Sequence, residues 1–304
     1  MSEPPSGAEL LAKLTAIRRE HPEAIPEALQ GRRRRLSPLS ESGTIFLIAA
    51  DHPARGSLKV GDDSMAMADR GDLLRRLLIA LERPSVDGLV GTPDLVEDLA
   101  LLGALEDKVV FGCMNRGGLA GSAFELDDRF TAYTADQIAA DQLDGGKMMV
   151  RIADEDPSTL RTLCAASEAI NGLAALKKPA MVGVWASRLS GGRAVNVERP
   201  DSLIRAVQIA SGLGRTSAYT WLNLPVIRGM ERIFAATSLP VTLIGGDPGT
   251  AAPEVYRRWA EVTAQPQVVG LVVGRTVLYP YHGDVRRAVD EAAAVIAGRA
   301  KAAA

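Results

Sequence analysis

A chain of 304 residues, 47% hydrophobic and 24% charged, can close one large core without a second domain. A net charge of −2 and a pI near 6.0 argue against a surface built for nucleic acid or an anionic membrane, so any phosphate recognition must be local. Two cysteines, Cys113 and Cys164, are too few for a disulfide framework, and no run of about 18 apolar residues occurs; a reducing, cytoplasmic setting without a membrane span is the expectation.

The polar, proline-rich stretch Met1–Gly7 lacks the apolar centre of a signal peptide. Ala8–Arg19 follows as an amphipathic helix, and Arg32–Arg35 is a run of arginines read as a solvated connector. Residues 1–42 are therefore expected as an N-terminal helical extension acting as a lid or bottom plug, with a surface on which a second copy could pack. Residues 43–304 form the body.

From Gly43 onward a strand-then-helix rhythm repeats eight times, with strands at Thr44–Ala50, Gly88–Gly91, Val109–Met114, Lys147–Ile152, Ala180–Ala186, Ala218–Leu224, Val241–Gly245 and Val269–Gly274. Nearly continuous apolar runs suit parallel strands buried on both faces, and eight of them imply closure into a (β/α)8 TIM barrel. A doubly wound sheet is the competing fold, but the first strand-helix turn, Asp51-His52-Pro53-Ala54-Arg55-Gly56, lacks the dinucleotide fingerprint. Thr92-Pro93-Asp94 and Asp156-Pro157 read as helix starts, whereas Asn171-Gly172, Gly212 and Gly214 read as breakers.

In such barrels the site lies at the C-terminal ends of the strands. The first strand ends on Asp51, a carboxylate suited to moving protons or to balancing nearby cations, although a turn aspartate would look the same. His52 follows it, and strand alternation would turn the two apart, so only one is expected in the site. After the third strand, Asn115–Ser122 is a glycine-bearing loop with Arg116. On the fourth strand Lys147, Met149 and Arg151 share one face, and Met148, Val150 and Ile152 the other. If the apolar set meets the helices, Lys147 and Arg151 point inward, where an enclosed amine beside another cation becomes a usable nucleophile. A lysine at the barrel floor, paired with a carboxylate, is the bland alternative.

Ser187–Arg193, after the fifth strand, reads as a second long loop, with Arg188 as a candidate substrate contact. Trp221 and Asn223 on the sixth strand join the candidate binding set. The last two strands end Gly245-Gly246-Asp247-Pro248-Gly249-Thr250 and Gly274-Arg275, where glycine amides and one guanidinium could hold a phosphate. Only three histidines, His21, His52 and His282, are present, so a His-rich zinc site is hard to assemble; no metal and no cofactor are expected.

These residues resemble the class I, Schiff-base aldolase superfamily, in particular the tagatose-bisphosphate, fructose-bisphosphate and deoxyribose-phosphate aldolase-like branches, over roughly Thr44 to the C-terminus. Asp51 in Ala49-Ala50-Asp51-His52 looks like the family's first-strand aspartate, Lys147-Met148-Met149-Val150 like its fourth-strand lysine segment, and Gly245-Gly246 with Gly274-Arg275 like its phosphate cradle. The chain looks still closer to an actinobacterial group of (β/α)8 proteins found with inositol-catabolism enzymes. It departs from the pattern on the sixth strand, where Trp221 stands in place of the family's imine-forming lysine, and on the fifth, where Gly183 falls near the glutamate of the tagatose branch. Transaldolases carry their imine lysine on the fourth strand, so the resemblance leaves Lys147 as the candidate nucleophile.

The implied function is a metal-independent aldolase acting on a phosphorylated keto-sugar or keto-acid, and the inositol association points to 2-deoxy-5-keto-gluconate 6-phosphate. Two rivals keep the pocket. One is a sugar-phosphate isomerase or epimerase with Asp51 as base; the other is a non-catalytic sugar-phosphate binder.

Overall fold

Apolar strand sequences of four to eleven residues, buried on both faces, assemble here into a closed parallel barrel. The computed structural model describes residues 5–35, 37–246 and 252–302. Met1–Pro4 and the Asp247–Thr250 part of the glycine turn read above lie outside the described residues. The strands are β1 (Ile45–Ala49), β2 (Gly88–Gly91), β3 (Val109–Cys113), β4 (Gly145–Ile152), β5 (Ala180–Ser190), β6 (Arg193–Asn196), β7 (Thr220–Pro225), β8 (Val241–Ile244) and β9 (Val268–Val273). Their order is β4-β3-β2-β1-β9-β8-β7-β5, and a β4–β5 pairing closes the circle of eight. The barrel is the expected (β/α)8 architecture, and the sixth, seventh and eighth barrel strands are β7, β8 and β9.

Two layers of core follow from the strand alternation. Ile45, Leu47, Ala49, Val90, Val109, Phe111, Cys113, Met181, Trp221 and Val272 fill the interior, with Phe111 and Trp221 ring centroids 5.9 Å apart. The opposite faces pack against the helices: Met148, Val150 and Ile152 of β4 join the outer core, which also takes up residues of α3 (Arg70–Leu81), α6 (Ser158–Ala175) and α7 (Pro200–Ser211).

The N-terminal helices α1 (Gly7–Glu20) and α2 (Ala24–Gly31) pack on α3 and on α4 (Pro93–Leu101), burying Leu10, Leu14 and Leu29. A capping box starts α1, with Glu9 N donating to Ser6 Oγ at 3.3 Å and Ser6 N to Glu9 Oε2 at 2.8 Å.

The arginine run is solvated only in part: Arg33 and Arg34 are exposed, whereas Arg32 is buried. Arg32, its side chain 1% exposed, donates to Lys108 O (2.9 Å) and Gln142 O (2.8 Å) and pairs with Asp144, while Arg33 meets Asp107 and Arg35 meets Asp87. All of these partners immediately precede β2, β3 or β4, so the run clamps the barrel floor. Leu39 packs on the interior cluster from the same end. Four like charges in sequence suggested hydration, but each cation that meets a strand-leading carboxylate is neutralised there.

Two other readings change. Ser187–Arg193 is no loop: β5 continues to Ser190, turns at Gly191 and Gly192 (φ +59° and +76°) and returns antiparallel as β6. Asn171-Gly172 does not end a helix, because α6 runs through it. Asn171 Oδ1 instead accepts the Arg215 amide at 2.7 Å, and Gly172 leaves room for Ala135 at the close α5 (Ala135–Ala140) crossing. Pro93 at N1 of α4 and Gly212 at the C-cap of α7 lie where the sequence put them.

Candidate active site

The apolar face of β4 is taken up by the helix layer, so the alternating residues Lys147, Met149 and Arg151 face the interior. They open onto a cavity of about 410 Å³ at the C-terminal mouth of the barrel. Its wall also includes Asp51, His52, Arg55, Arg116, Glu125, Trp185, Asn196, Glu198, Asn223, Gly245, Gly246, Gly274 and Arg275.

Lys147 Nζ donates to Asp51 Oδ2 at 2.7 Å. The Arg116 guanidinium donates to the same oxygen and, at 3.0 Å, to the Asp51 carbonyl; the Cys113 thiol reaches Oδ2 at 3.4 Å. All four side chains are buried. Burial alone would raise the Asp51 carboxyl, but the Lys147 and Arg116 charges override it and hold the group well below the ordinary carboxylate value. Burial likewise opposes the Arg116 charge, which Cys113 and Asp51 nevertheless hold above its usual range, and burial pushes the Cys113 thiol up to about 11. Two cations on one carboxylate leave this group with a net positive charge.

His52 stands beside Asp51 on the same cavity wall, its Nδ1 3.8 Å from Asp51 Oδ1. Alternation does not separate the two, because β1 ends at Ala49 and a 3-10 turn, Pro53–Arg55, begins directly after His52. Burial lowers the imidazole to about 4; Asp51 opposes that shift, and Arg275, Lys147 and Arg116 add to it. The ring is therefore neutral at physiological pH.

The loop after β3 is fastened over the mouth by residues that the sequence reading missed. Arg55 donates to Gly118 O (2.9 Å) and Asn115 O (2.8 Å) and pairs with Asp128 at 2.7 Å, which in turn accepts the Gly118 amide. Asn115 exchanges bonds with Met149 N and O at 2.9 and 2.6 Å, prolonging the β3–β4 ladder with a side chain. Arg151 pairs with Glu125 of this loop (3.2 Å) and donates to its carbonyl at 3.0 Å; burial, then Arg55, lowers its guanidinium. The visible signals were two ordinary acids, Glu125 and Asp128, spaced along a glycine-bearing segment.

Across the barrel, β8 and β9 end on glycines. A Cβ at Gly274 would lie 2.4 Å from Ala49 O and 2.8 Å from His52 Cε1, so only glycine fits this corner. Gly246 takes φ +73°. Gly245 does not offer its amide, which donates to Val272 O at 3.3 Å; its part is to frame the turn, leaving the Gly246 and Gly274 amides. Arg275 borders the cavity and donates to Lys59 O at 3.2 Å.

Asn223 lines the cavity and accepts from Thr242 Oγ1 at 3.2 Å. Trp221 sits one level lower, in the interior core. The strand register Lys147↔Met181↔Trp221 sets Lys147 and Trp221 in one row of the barrel, two strands apart. Arg188 is exposed on the β5–β6 hairpin and is not part of the cavity wall; the hairpin delivers Asn196 and, just beyond it, Glu198. Among the described residues no group of three or more His, Cys, Asp or Glu side chains is placed to hold a metal ion, and no helix is long and apolar enough to cross a membrane.

The Cgl0159-like family model matches residues 43–293. The crystal structure of Cgl0159 from Corynebacterium glutamicum is similar at 45% identity and TM-score 0.92, covering 95% of this chain and 97% of that one. An archaeal fructose 1,6-bisphosphate aldolase shares the barrel at 17% identity and TM-score 0.63, covering 90% and 99%. A Schiff-base-forming fructose-1,6-bisphosphate aldolase does so at 16% and 0.64, with the same coverage. No curated protein matches the chain.

Proposed function

The chain belongs to the Cgl0159-like family, and within it we propose a lysine-imine aldolase acting on a phosphorylated keto-sugar or keto-acid. The observation that carries this reading is the buried Lys147–Asp51 contact of 2.7 Å inside a cavity whose far wall is glycine-rich. Attack on a carbonyl requires an uncharged amine. Because Lys147 and Arg116 share one carboxylate, loss of the lysine proton leaves Arg116 and Asp51 as a balanced pair and strands no buried charge. The barrel fold held in common with Schiff-base fructose-bisphosphate aldolases is consistent with that chemistry.

In this reading Lys147 Nζ adds to the substrate carbonyl and water departs. The carbon–carbon bond next to the imine carbon's neighbour then breaks, its electron pair drawn into the iminium. The Gly246 and Gly274 amides, with the positive potential of Arg275, hold the phosphate. Asp51 balances Lys147 and Arg116. The first substrate to assay is 2-deoxy-5-keto-gluconate 6-phosphate.

The same ion pair also favours a second reading, an isomerase or epimerase in which Lys147 stays an ammonium and stabilises an enolate. A panel of ketose phosphates, assayed in deuterated water with a chelator present, separates the two. Release of an aldehyde and a three-carbon phosphate supports the aldolase; deuterium incorporation with the carbon skeleton intact supports the isomerase.

A further inference from the structure

We propose that His52 is the catalytic group that moves the proton in the carbon–carbon step, and that Asp51 is a fixed counter-ion. This rests on the imine reading above and assigns a role within the same site.

The geometry separates the two side chains by occupancy. Asp51 Oδ2 already accepts from Lys147, Arg116 and Cys113, so taking a substrate proton there would break contacts that hold the lysine in place. His52 lines the cavity, and among the described residues its buried Nδ1 has no hydrogen-bond partner. With Nδ1 packed towards Asp51 and Gly274, the 24% of the His52 side chain that stays exposed is the part of the ring a substrate hydroxyl can reach. His52 is also the imidazole in the cavity: His21 caps α1 and His282 lines a groove near the C-terminal helix Val285–Ala302. The ring lies against Gly274, so a phosphate held by that amide sits beside it.

Charge gives the arrangement a direction. Asp51 on its own loop, Arg116 beyond β3, Lys147 on β4 and Arg275 beyond β9 face the ring; burial chiefly, and then the three cations against Asp51, keep it neutral. A bound phosphate brings two negative charges next to Arg275 and strengthens the ring as a base when substrate is present.

The step balances. From the Lys147 iminium, the substrate hydroxyl on the far side of the breaking bond gives its proton to the imidazole. Its O–H electrons become the aldehyde C=O, and the carbon–carbon pair becomes the enamine double bond, neutralising the nitrogen. His52 then returns the proton to the enamine carbon, and water hydrolyses the iminium to free Lys147.

The test uses the full chain with dihydroxyacetone phosphate as probe. Borohydride trapping on Lys147 reads imine formation, and exchange of the carbon-bound hydrogen with deuterated water reads proton transfer. His52→Asn is expected to keep the adduct while exchange falls by about 10²–10⁴-fold; the retained adduct also reports an intact site. Asp51→Asn is expected to lose the adduct itself. Exchange in His52→Asn within about threefold of wild type, with the adduct present, overturns the assignment. No adduct in the wild type overturns the imine reading beneath it, a separate outcome.

Discussion

Lys147 on β4 and Asp51 beyond the end of β1 meet at 2.7 Å across the barrel mouth, although β2 and β3 lie between their strands in the sheet. A contact of this kind exists only in the closed barrel, so the site and the fold are tied together. Replacing Asp51 by Asn leaves Lys147 and Arg116 buried without a counter-ion, and the expected cost is about 3–5 kcal/mol in a urea melt. Lys147→Met added to it should recover part of that loss, a coupling that independent sites would not show. Equal loss in the single and double variants would mean the charges are not interacting.

Stability should fall on mild acidification, with His52 as a main cause. Its folded value is about 4 against an ordinary 6.5, so between these pH values the unfolded chain binds a proton that the folded chain does not. Stability from this group is therefore lost as pH falls from about 6.5 to about 4. Asp51 acts lower down: held well below 3.8, its contribution is complete above that value and fades beneath it. Urea midpoints measured across pH should slope in the upper window for wild type and flatten there for His52→Asn.

Ligand should stabilise the protein through the glycine corner. A phosphate ligand at about 100 times its Kd adds roughly 2.7 kcal/mol. Gly274→Ala puts a methyl 2.4 Å from Ala49 O and should abolish the thermal shift given by dihydroxyacetone phosphate. Gly246→Ala meets no atom of the described residues within 4 Å but holds φ +73°, so its own cost should stay near 1 kcal/mol. A full shift in Gly274→Ala would move the phosphate elsewhere.

Arg32→Ala tests the floor rather than the mouth. It leaves Asp144 with Arg34, at 3.0 Å, as its remaining cation and deprives two carbonyls of a donor. The expected loss is about 1–3 kcal/mol, with turnover per folded molecule unchanged. A kinetic defect without a stability change would contradict a clamp.

The barrel was legible because its strands are apolar on both faces and recur at helix-length intervals; the strand spans Thr44–Ala50 and Val269–Gly274 differ from those observed by a single residue at each end. The inward turn of Lys147 and Arg151 followed from period-two alternation once the apolar set Met148, Val150 and Ile152 was assigned to the helix layer. Pairings between distant residues were not legible. Nothing local distinguishes Glu125 or Asp128 from surface acids until Arg151 and Arg55 are brought to them. His52 was lost because alternation was carried one residue past the end of β1, and the Gly191-Gly192 turn because two glycines between polar residues look like a loop.

Lys147 is expected to bond covalently to a substrate carbonyl. Borohydride reduction of the protein with dihydroxyacetone phosphate or a cleavable ketose phosphate, followed by intact and peptide mass spectrometry, tests it most directly. One adduct is expected, on the peptide containing Lys147 and absent in Lys147→Met. Carbon–carbon cleavage with no adduct at Lys147, or an adduct on another lysine, would contradict it.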